Sequence, residues 1–139
     1  MADTEDSEQP EQGKAALPVV HGAPKGAHVI VSLEEWESWK KQQNTKAVLL
    51  QCGSPTCTRC PDFTARIEGL KSQWNFFHVY VNTHEAEEDL IEELQVTQLP
   101  AFELHAKGER AKEQAAAPDL VEVAITTLCL PVFTVDEDF

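Results

Sequence analysis

Two cysteines separated by two residues, Cys57 and Cys60, stand between an apolar run and an amphipathic one. The apolar run 47–50 predicts a buried strand, and Phe63 and Ile67 recur at helical spacing after the cysteines. The sequence therefore predicts a strand, a short turn, the Cys-x-x-Cys motif and a helix, in that order. Cysteines at this spacing across a first helical turn can close and reopen a disulfide with little backbone movement.

The chemistry expected of such a pair is thiol–disulfide exchange. Unpaired N–H groups and the positive end of the helix dipole stabilise a thiolate at the first cysteine. Arg59 adds a fixed positive charge between the two sulfurs. We expect Cys57 to attack a disulfide and Cys60 to resolve the mixed disulfide. We also expect Arg59 to favour the thiolate and so to make the pair more oxidising.

Size and charge limit the function classes that fit the chain. Its 139 residues suit one domain with tails, and its net charge of −13 would repel nucleic acid. The sequence has no apolar run long enough for a membrane helix and no apolar leader, so we expect a cytoplasmic protein that does not bind membranes. In that compartment four cysteines favour redox or metal chemistry over a structural disulfide framework.

The chain divides into a flexible acidic arm over residues 1–27, a folded domain over 28–129 and an acidic tail over 130–139. Within the domain, Ser32 and Glu35 form a capping-box pattern that predicts a helix start. The expected strands are 28–31, 47–52, 76–81, 101–105 and 109–112, and the expected helices begin at Ser32, Cys57, Thr83 and Pro118, the second of them ending near Gln73.

Two stretches, AVLLQCGSPTCTRC and VTQLPAFELHAKGE, give the chain a resemblance to the thioredoxin family over residues 28–129. The resemblance implies a central mixed sheet of about five strands flanked by about four helices. It also implies that Leu99-Pro100 is a cis peptide bond beside the cysteines. The backbone of Leu99 would pair with an extended substrate segment, and Thr56 would lie on the same substrate-binding surface.

The sequence departs from the family pattern at four places. Thr56 stands where the family has Trp, and Thr58-Arg59 replaces Gly-Pro between the cysteines. Gln51 replaces a buried acid, and an amide cannot act as a general base. His78 falls where the family has a buried lysine and is a candidate for proton handling; the alternative is a strand histidine with a satisfied hydrogen bond. These departures predict slower or narrower chemistry than that of a general thioredoxin.

A metal interpretation of the cysteines also exists. Cys52, Cys57 and Cys60, with Cys129, imitate the spacing of a plant-type [2Fe–2S] site. We expect no cluster, because the first cysteine lies on a strand and the last one ends the final helix. Cys52 is better explained as a small buried residue, with regulatory exchange against Cys57 as the alternative.

Zinc is the other metal that the sequence allows. A site would combine the two motif cysteines with one histidine, and the candidates are His78, His84 and His105. These histidines are scattered along the chain, so we expect neither a metal nor a bound cofactor.

Two functions remain open from the sequence. The first is an oxidoreductase acting on protein disulfides, with a reductase or a small thiol as electron donor. The second is a structural or redox-sensing subunit of a large complex, like the thioredoxin-like light chains of flagellar dyneins, with little or no turnover. The second interpretation would give a cytoskeletal or flagellar location.

Overall fold

The computed structural model describes residues 24–132. Six strands and four helices lie in this range. The strands are β1 (His28–Ile30), β2 (Ala47–Gly53), β3 (Trp74–Asn82), β4 (Ala101–Ala106), β5 (Glu109–Glu113) and β6 (Leu130–Pro131). The helices are α1 (Leu33–Lys40), α2 (Cys60–Leu70), α3 (Glu88–Leu94) and α4 (Pro118–Leu128), and a 3₁₀ turn over Lys41–Asn44 follows α1.

The strands form one mixed sheet, as the resemblance implied. Its order is β1-β3-β2-β4-β5, and β6 pairs with the start of β3. β3 is parallel to both β1 and β2, whereas β4 is antiparallel to β2 and to β5. Cys52 at the end of β2 lies opposite Ala101 at the start of β4. The end of β2 that leads to the cysteine motif is therefore beside the strand that follows Pro100.

The core has one layer on each face of the sheet, and every residue of β2 is buried between them. Helices α2 and α4 cover one face, which includes Leu49, Phe63, Phe102, Val121 and Ile125. Helices α1 and α3 cover the other face, which includes Trp36, Leu50, Val79, Leu90 and Leu94. Burying each such side chain contributes about 1.5–3 kcal/mol. The packing on both faces fixes β2, and with it the position of the turn that carries the cysteines.

Helices α1 and α4 begin where the sequence predicted, because local residues determine both starts. Ser32 caps α1: the Glu35 N–H donates to its Oγ at 3.1 Å, and the Ser32 N–H donates to the Glu35 carboxylate at 3.0 Å. Hydrogen bonds from the backbone of Val31 and Ser32 lower the pKa of Glu35. Pro118 opens α4, where its missing N–H has no partner to lose.

Three predicted helix boundaries were wrong. Helix α2 begins at Cys60 with Arg59 as its N-cap, so Cys57 lies in the preceding turn, and the helix ends at Leu70, short of Gln73. Helix α3 begins at Glu88. Thr83 does not start it, because the Glu87 N–H, which such a helix would direct to the Thr83 carbonyl, donates to the Val31 carbonyl at 2.7 Å.

Most of the predicted tails, residues 1–23 and 133–139, lies outside the described residues. The predicted C-terminal tail began at residue 130, and its first two residues form β6. Within residues 24–132, no helix is both long and apolar enough to cross a membrane.

Candidate functional site

The two motif cysteines are joined as a disulfide with their Cα atoms 5.4 Å apart. The Cys57 N–H donates to the Ser54 carbonyl at 3.2 Å, and the Cys60 N–H donates to the Cys57 carbonyl at 3.3 Å, which fixes the turn between β2 and α2. Cys57 is half-buried, whereas Cys60 is only 2% exposed. An incoming molecule therefore meets the sulfur of Cys57 first, and its role as the attacking residue stays a prediction.

The start of α2 supplies the electrostatics of the pair. The first backbone N–H groups of this eleven-residue helix have no partner within the helix, and Pro61 near its start removes only one of them. Cys60 is the first helical residue and Cys57 lies one turn before it. The positive end of the helix therefore faces the cysteine pair, where it stabilises a thiolate.

The peptide bond between Leu99 and Pro100 is cis, as the resemblance implied. It lies beside the cysteine turn, because the Arg59 guanidinium donates to the Leu99 carbonyl at 3.2 Å. The Pro100 carbonyl accepts from the Ala116 N–H at 2.9 Å, which ties this segment to the chain before α4. Residues 40 positions apart thus meet at one surface, and Thr56 is exposed on the same turn as Cys57.

Gln114 positions this segment and was missed from the sequence. Its side-chain oxygen accepts from the N–H groups of Thr97 at 2.6 Å and Gln98 at 3.0 Å, and its amide nitrogen donates to the Gln95 carbonyl at 2.8 Å. One amide therefore holds the loop that leads to Leu99. A single glutamine between β5 and α4 belongs to no periodic pattern, so no sequence signal indicated this contact.

The two residues considered for proton handling contact each other. Gln51 Oε1 lies 2.9 Å from His78 Nε2, and the Gln51 amide nitrogen donates to Thr64 Oγ1 at 2.7 Å. Thr64 lies one turn after Cys60 on α2. Burial, with Lys71 and His28 nearby, lowers the pKa of His78 to about 3. His78 is therefore neutral near pH 7, and its proton-handling role stays a prediction.

The Gly53 backbone lies close to both the Tyr80 hydroxyl and the Cys60 sulfur. The sequence did not indicate this contact either. A Cβ atom placed on Gly53 would lie 2.8 Å from the Tyr80 hydroxyl oxygen and 3.4 Å from the Cys60 sulfur. The Tyr80 hydroxyl is buried and has no hydrogen-bond partner among the residues that the structure describes. In the sequence, Tyr80 is only one of several aromatic residues in a strand pattern.

The remaining cysteines, Cys52 and Cys129, are free thiols buried in the core. Cys52 packs in the layer covered by α1 and α3, and Cys129 in the layer covered by α2 and α4. Burial raises the pKa of both thiols to about 12. Cys52 and Cys129 thus lie on opposite faces, and within residues 24–132 no three His, Cys, Asp or Glu side chains are grouped as a metal site requires.

A mixed sheet with a cysteine pair at the start of a helix and a cis-proline beside it defines the thioredoxin fold. The Thioredoxin family model matches residues 28–126. The chain belongs to the thioredoxin family, and its close cysteine pair equips it for thiol–disulfide oxidoreduction in general.

Solved structures share this fold at low sequence identity. Thioredoxin O1 from Arabidopsis thaliana in the oxidised state has a TM-score of 0.65 and 16% identity, covering 75% of this chain and 98% of its own. The Malassezia sympodialis thioredoxin Mala s 13 has a TM-score of 0.62 and 19% identity, covering 76% of this chain and 94% of its own. Oxidised mitochondrial thioredoxin 3 from Saccharomyces cerevisiae has a TM-score of 0.59 and 23% identity, covering 73% of this chain and 95% of its own. No curated protein matches the chain in sequence.

Proposed function

We propose that this chain is a dithiol–disulfide oxidoreductase that reduces or exchanges protein disulfides. The observation that carries the proposal is the exposure difference within the pair: Cys57 is half-buried and Cys60 is 2% exposed. A substrate reaches only the first sulfur, while the second is held back for the resolving step. The adjacent Leu99 backbone supplies a surface on which an extended substrate segment can lie.

The reaction starts from the reduced protein. The Cys57 thiolate attacks one sulfur of a substrate disulfide, and the other substrate sulfur leaves as a thiolate that takes a proton from water. The Cys60 thiol then loses its proton and attacks the Cys57 sulfur, which releases the second substrate thiolate. Two electrons have passed to the substrate, and the protein holds the disulfide between Cys57 and Cys60. A reductase or a small thiol restores the dithiol, and the cycle needs no bound cofactor.

Substrate binding involves Arg59 as well as the sulfurs. The Leu99 carbonyl, one of the backbone groups that an extended segment would use, accepts from the Arg59 guanidinium at 3.2 Å. A substrate that pairs with this carbonyl must displace the guanidinium. Because Arg59 is exposed, it can swing into water and remain solvated. This competition selects for substrates that bind the segment strongly, which agrees with the expected narrow specificity.

The experiment is disulfide reduction of insulin by the full chain, with dithiothreitol as electron donor. The wild type should turn over, Cys57→Ser should be inactive, and Cys60→Ser, once reduced and freed of dithiothreitol, should accumulate a mixed disulfide with insulin chains. Cys129→Ala is the matched control, because it removes a buried thiol far from the turn and should retain turnover. Wild-type activity no higher than that of Cys57→Ser would refute the proposal.

One observation favours the second candidate, a redox-sensing or structural subunit of a large complex. The Leu99 carbonyl is already occupied by Arg59, and Gln51 stands where the family has an acid, so both substrate binding and resolution would be impaired. This candidate predicts no insulin turnover, and elution of the native protein in a large complex when a cell extract is fractionated by size. A catalytically active monomer in the extract would exclude it.

A further inference from the structure

The Tyr80 hydroxyl is a buried hydrogen-bonding group that the reaction described above does not use. Tyr80 is 1% exposed, and within residues 24–132 its hydroxyl has neither a donor nor an acceptor. Leaving a buried hydroxyl without a partner destabilises a folded protein. An orphaned group of this kind in a native structure requires an explanation, and one explanation is a partner that is present in another state of the molecule.

The geometry identifies that partner as the Cys60 sulfur. Both atoms approach Gly53, where an added Cβ would lie 2.8 Å from the Tyr80 oxygen and 3.4 Å from the Cys60 sulfur. The two atoms are therefore separated by at most the sum of those distances. Because residue 53 has no side chain, no Cβ stands between the two atoms. Both groups also lie on the same side of the sheet, beneath the start of α2.

The disulfide explains why the contact is absent in the oxidised protein. A disulfide sulfur is a weak acceptor, and the bond to Cys57 fixes the position of the Cys60 sulfur. When the bond is reduced, the two sulfurs must move apart, because they no longer share a covalent bond. Cys57 lies at the surface, so the buried sulfur of Cys60 is the one that can turn towards the interior. A thiolate there is a strong acceptor for a phenolic O–H.

We propose that the Tyr80 hydroxyl donates a hydrogen bond to the Cys60 sulfur in the reduced protein and stabilises its thiolate. This proposal rests on the proposed function, and it assigns the resolving step a donor that lies on β3. Gln51 cannot take the proton of Cys60, so the proton passes to water or to the departing substrate thiolate. The tyrosine keeps its own proton and lowers the free energy of the thiolate that attacks Cys57.

The surroundings of the hydroxyl agree with a donor role. Burial raises the pKa of Tyr80 to about 12, with the Cys52 thiol and the Glu85 carboxylate adding to the effect. The phenol therefore stays protonated at any pH at which the enzyme would work. Arg59 and Asp62 are charged groups at the start of α2, next to the pair, and the neutral Gln51–His78 contact adds no charge.

The test is Tyr80→Phe, which removes only the hydroxyl and keeps the ring. In the reduced variant we expect the Cys60 pKa to rise by about one unit, a ten-fold loss of thiolate near neutral pH, as followed by NMR of ¹³C-labelled cysteine. Burial raises the pKa of Cys52 and Cys129 to about 12, and Cys57→Ser removes the other thiol of the pair, so the titration can be assigned to Cys60. Because a more basic thiolate is a better nucleophile, release of a trapped mixed disulfide should slow by only about three-fold.

A second readout does not need a substrate. Tyr80→Phe should raise the Tm of the oxidised protein, because it removes a buried hydroxyl that has no hydrogen-bond partner there among residues 24–132. It should lower the Tm of the reduced protein at a pH where Cys60 is ionised, because it removes the donor to the thiolate. Above the Cys60 pKa, a ten-fold change in the redox equilibrium against glutathione corresponds to about 30 mV, towards a more reducing pair. Thr64→Val is the control, because its hydroxyl accepts from Gln51 and should affect the two redox forms alike.

An unchanged Cys60 pKa in Tyr80→Phe, or equal Tm shifts in the two redox forms, would overturn the proposal. Both measurements are made on the isolated protein, so they remain decisive even if insulin reduction fails. Conversely, a wild type that reduces insulin while Tyr80→Phe leaves the Cys60 pKa unchanged would retain the proposed function and remove only this inference.

Discussion

Replacing Arg59 with alanine separates two effects that its guanidinium combines. It is a positive charge next to the cysteine pair, and it donates to the Leu99 carbonyl at 3.2 Å. Loss of the charge should lower the fraction of Cys57 thiolate. Loss of the hydrogen bond should free the carbonyl for a substrate. The two effects have opposite signs for a peptide disulfide, so a single activity value would hide both.

The magnitude follows from the geometry. A single hydrogen bond contributes a net 0.5–1.5 kcal/mol, and each 1.4 kcal/mol is a factor of ten, so freeing the carbonyl should favour substrate binding by about two- to ten-fold. Exposure of Arg59 to water places the expected value in the lower part of that range.

Two assays on the same variant separate the effects. Alkylation of Cys57 by iodoacetamide reports the thiolate alone, because this small reagent does not pair with the backbone of Leu99. Reduction of a peptide disulfide reports the thiolate and the binding surface together. The ratio of peptide reduction to alkylation should rise by about two- to ten-fold in Arg59→Ala.

Arg66→Ala is the matched control for this experiment. This substitution also removes one positive charge associated with α2. The Arg66 side chain, however, pairs with Asp119 and Glu122 of α4 at 2.8 and 2.7 Å and does not contact the site. Its ratio should equal that of the wild type. If Arg59→Ala reduces alkylation and peptide reduction by the same factor, the guanidinium does not restrict the Leu99 carbonyl and this reasoning is wrong.

Three further outcomes are expected. Gly53→Ala should lower the free energy of unfolding, measured in urea, by about 1–3 kcal/mol, because its Cβ would lie 2.8 Å from a buried oxygen. Gly69→Ala should not be destabilised, because no atom of the described residues lies within 4 Å of the added carbon. Equal effects of the two substitutions would contradict the packing argument. Cys52 and Cys129, with their pKa raised to about 12, should resist alkylation in the native protein and react only when urea unfolds it; rapid native labelling would refute their burial. The pKa of His78 falls from its usual 6.5 to about 3 on folding. Between pH 6.5 and about 3 the unfolded chain therefore binds more protons than the folded one, and the free energy of unfolding should decrease as the pH falls. A free energy of unfolding in urea that does not change with pH in this range would contradict a neutral buried His78.

The elements that were predicted correctly are those whose cause is local in the chain. The capping box at Ser32 and Glu35, the proline at the start of α4 and the short connection between the strands expected at 101–105 and 109–112 each depend on residues within a few positions of one another. Gly108 has a φ of 88° and Lys107 one of 51°, as a tight turn between β4 and β5 requires.

The helix boundaries that failed were decided by distant contacts. Thr83 has the side chain of an N-cap, but the Glu87 N–H, which would bond to its carbonyl, donates to the Val31 carbonyl, so α3 starts five residues later at Glu88. Helix α2 stops at Leu70 because the next strand begins at Trp74 and must reach its pairing register with β2. Sequence periodicity contains no information about either partner.

The sequence by itself determined the order of the four helices and of strands β1 to β5, the placement of the Cys57–Cys60 motif next to a helix start and the position of Pro100 before a strand, because spacing, capping and side-chain chemistry act over a few residues. Only the tertiary structure decided that Arg59 holds the Leu99 carbonyl, that Gln114 clamps the preceding loop, and that the Tyr80 hydroxyl reaches the neighbourhood of the Cys60 sulfur across Gly53. Such contacts depend on how the strands align and how the helices pack on them, and no local pattern of residues records that arrangement.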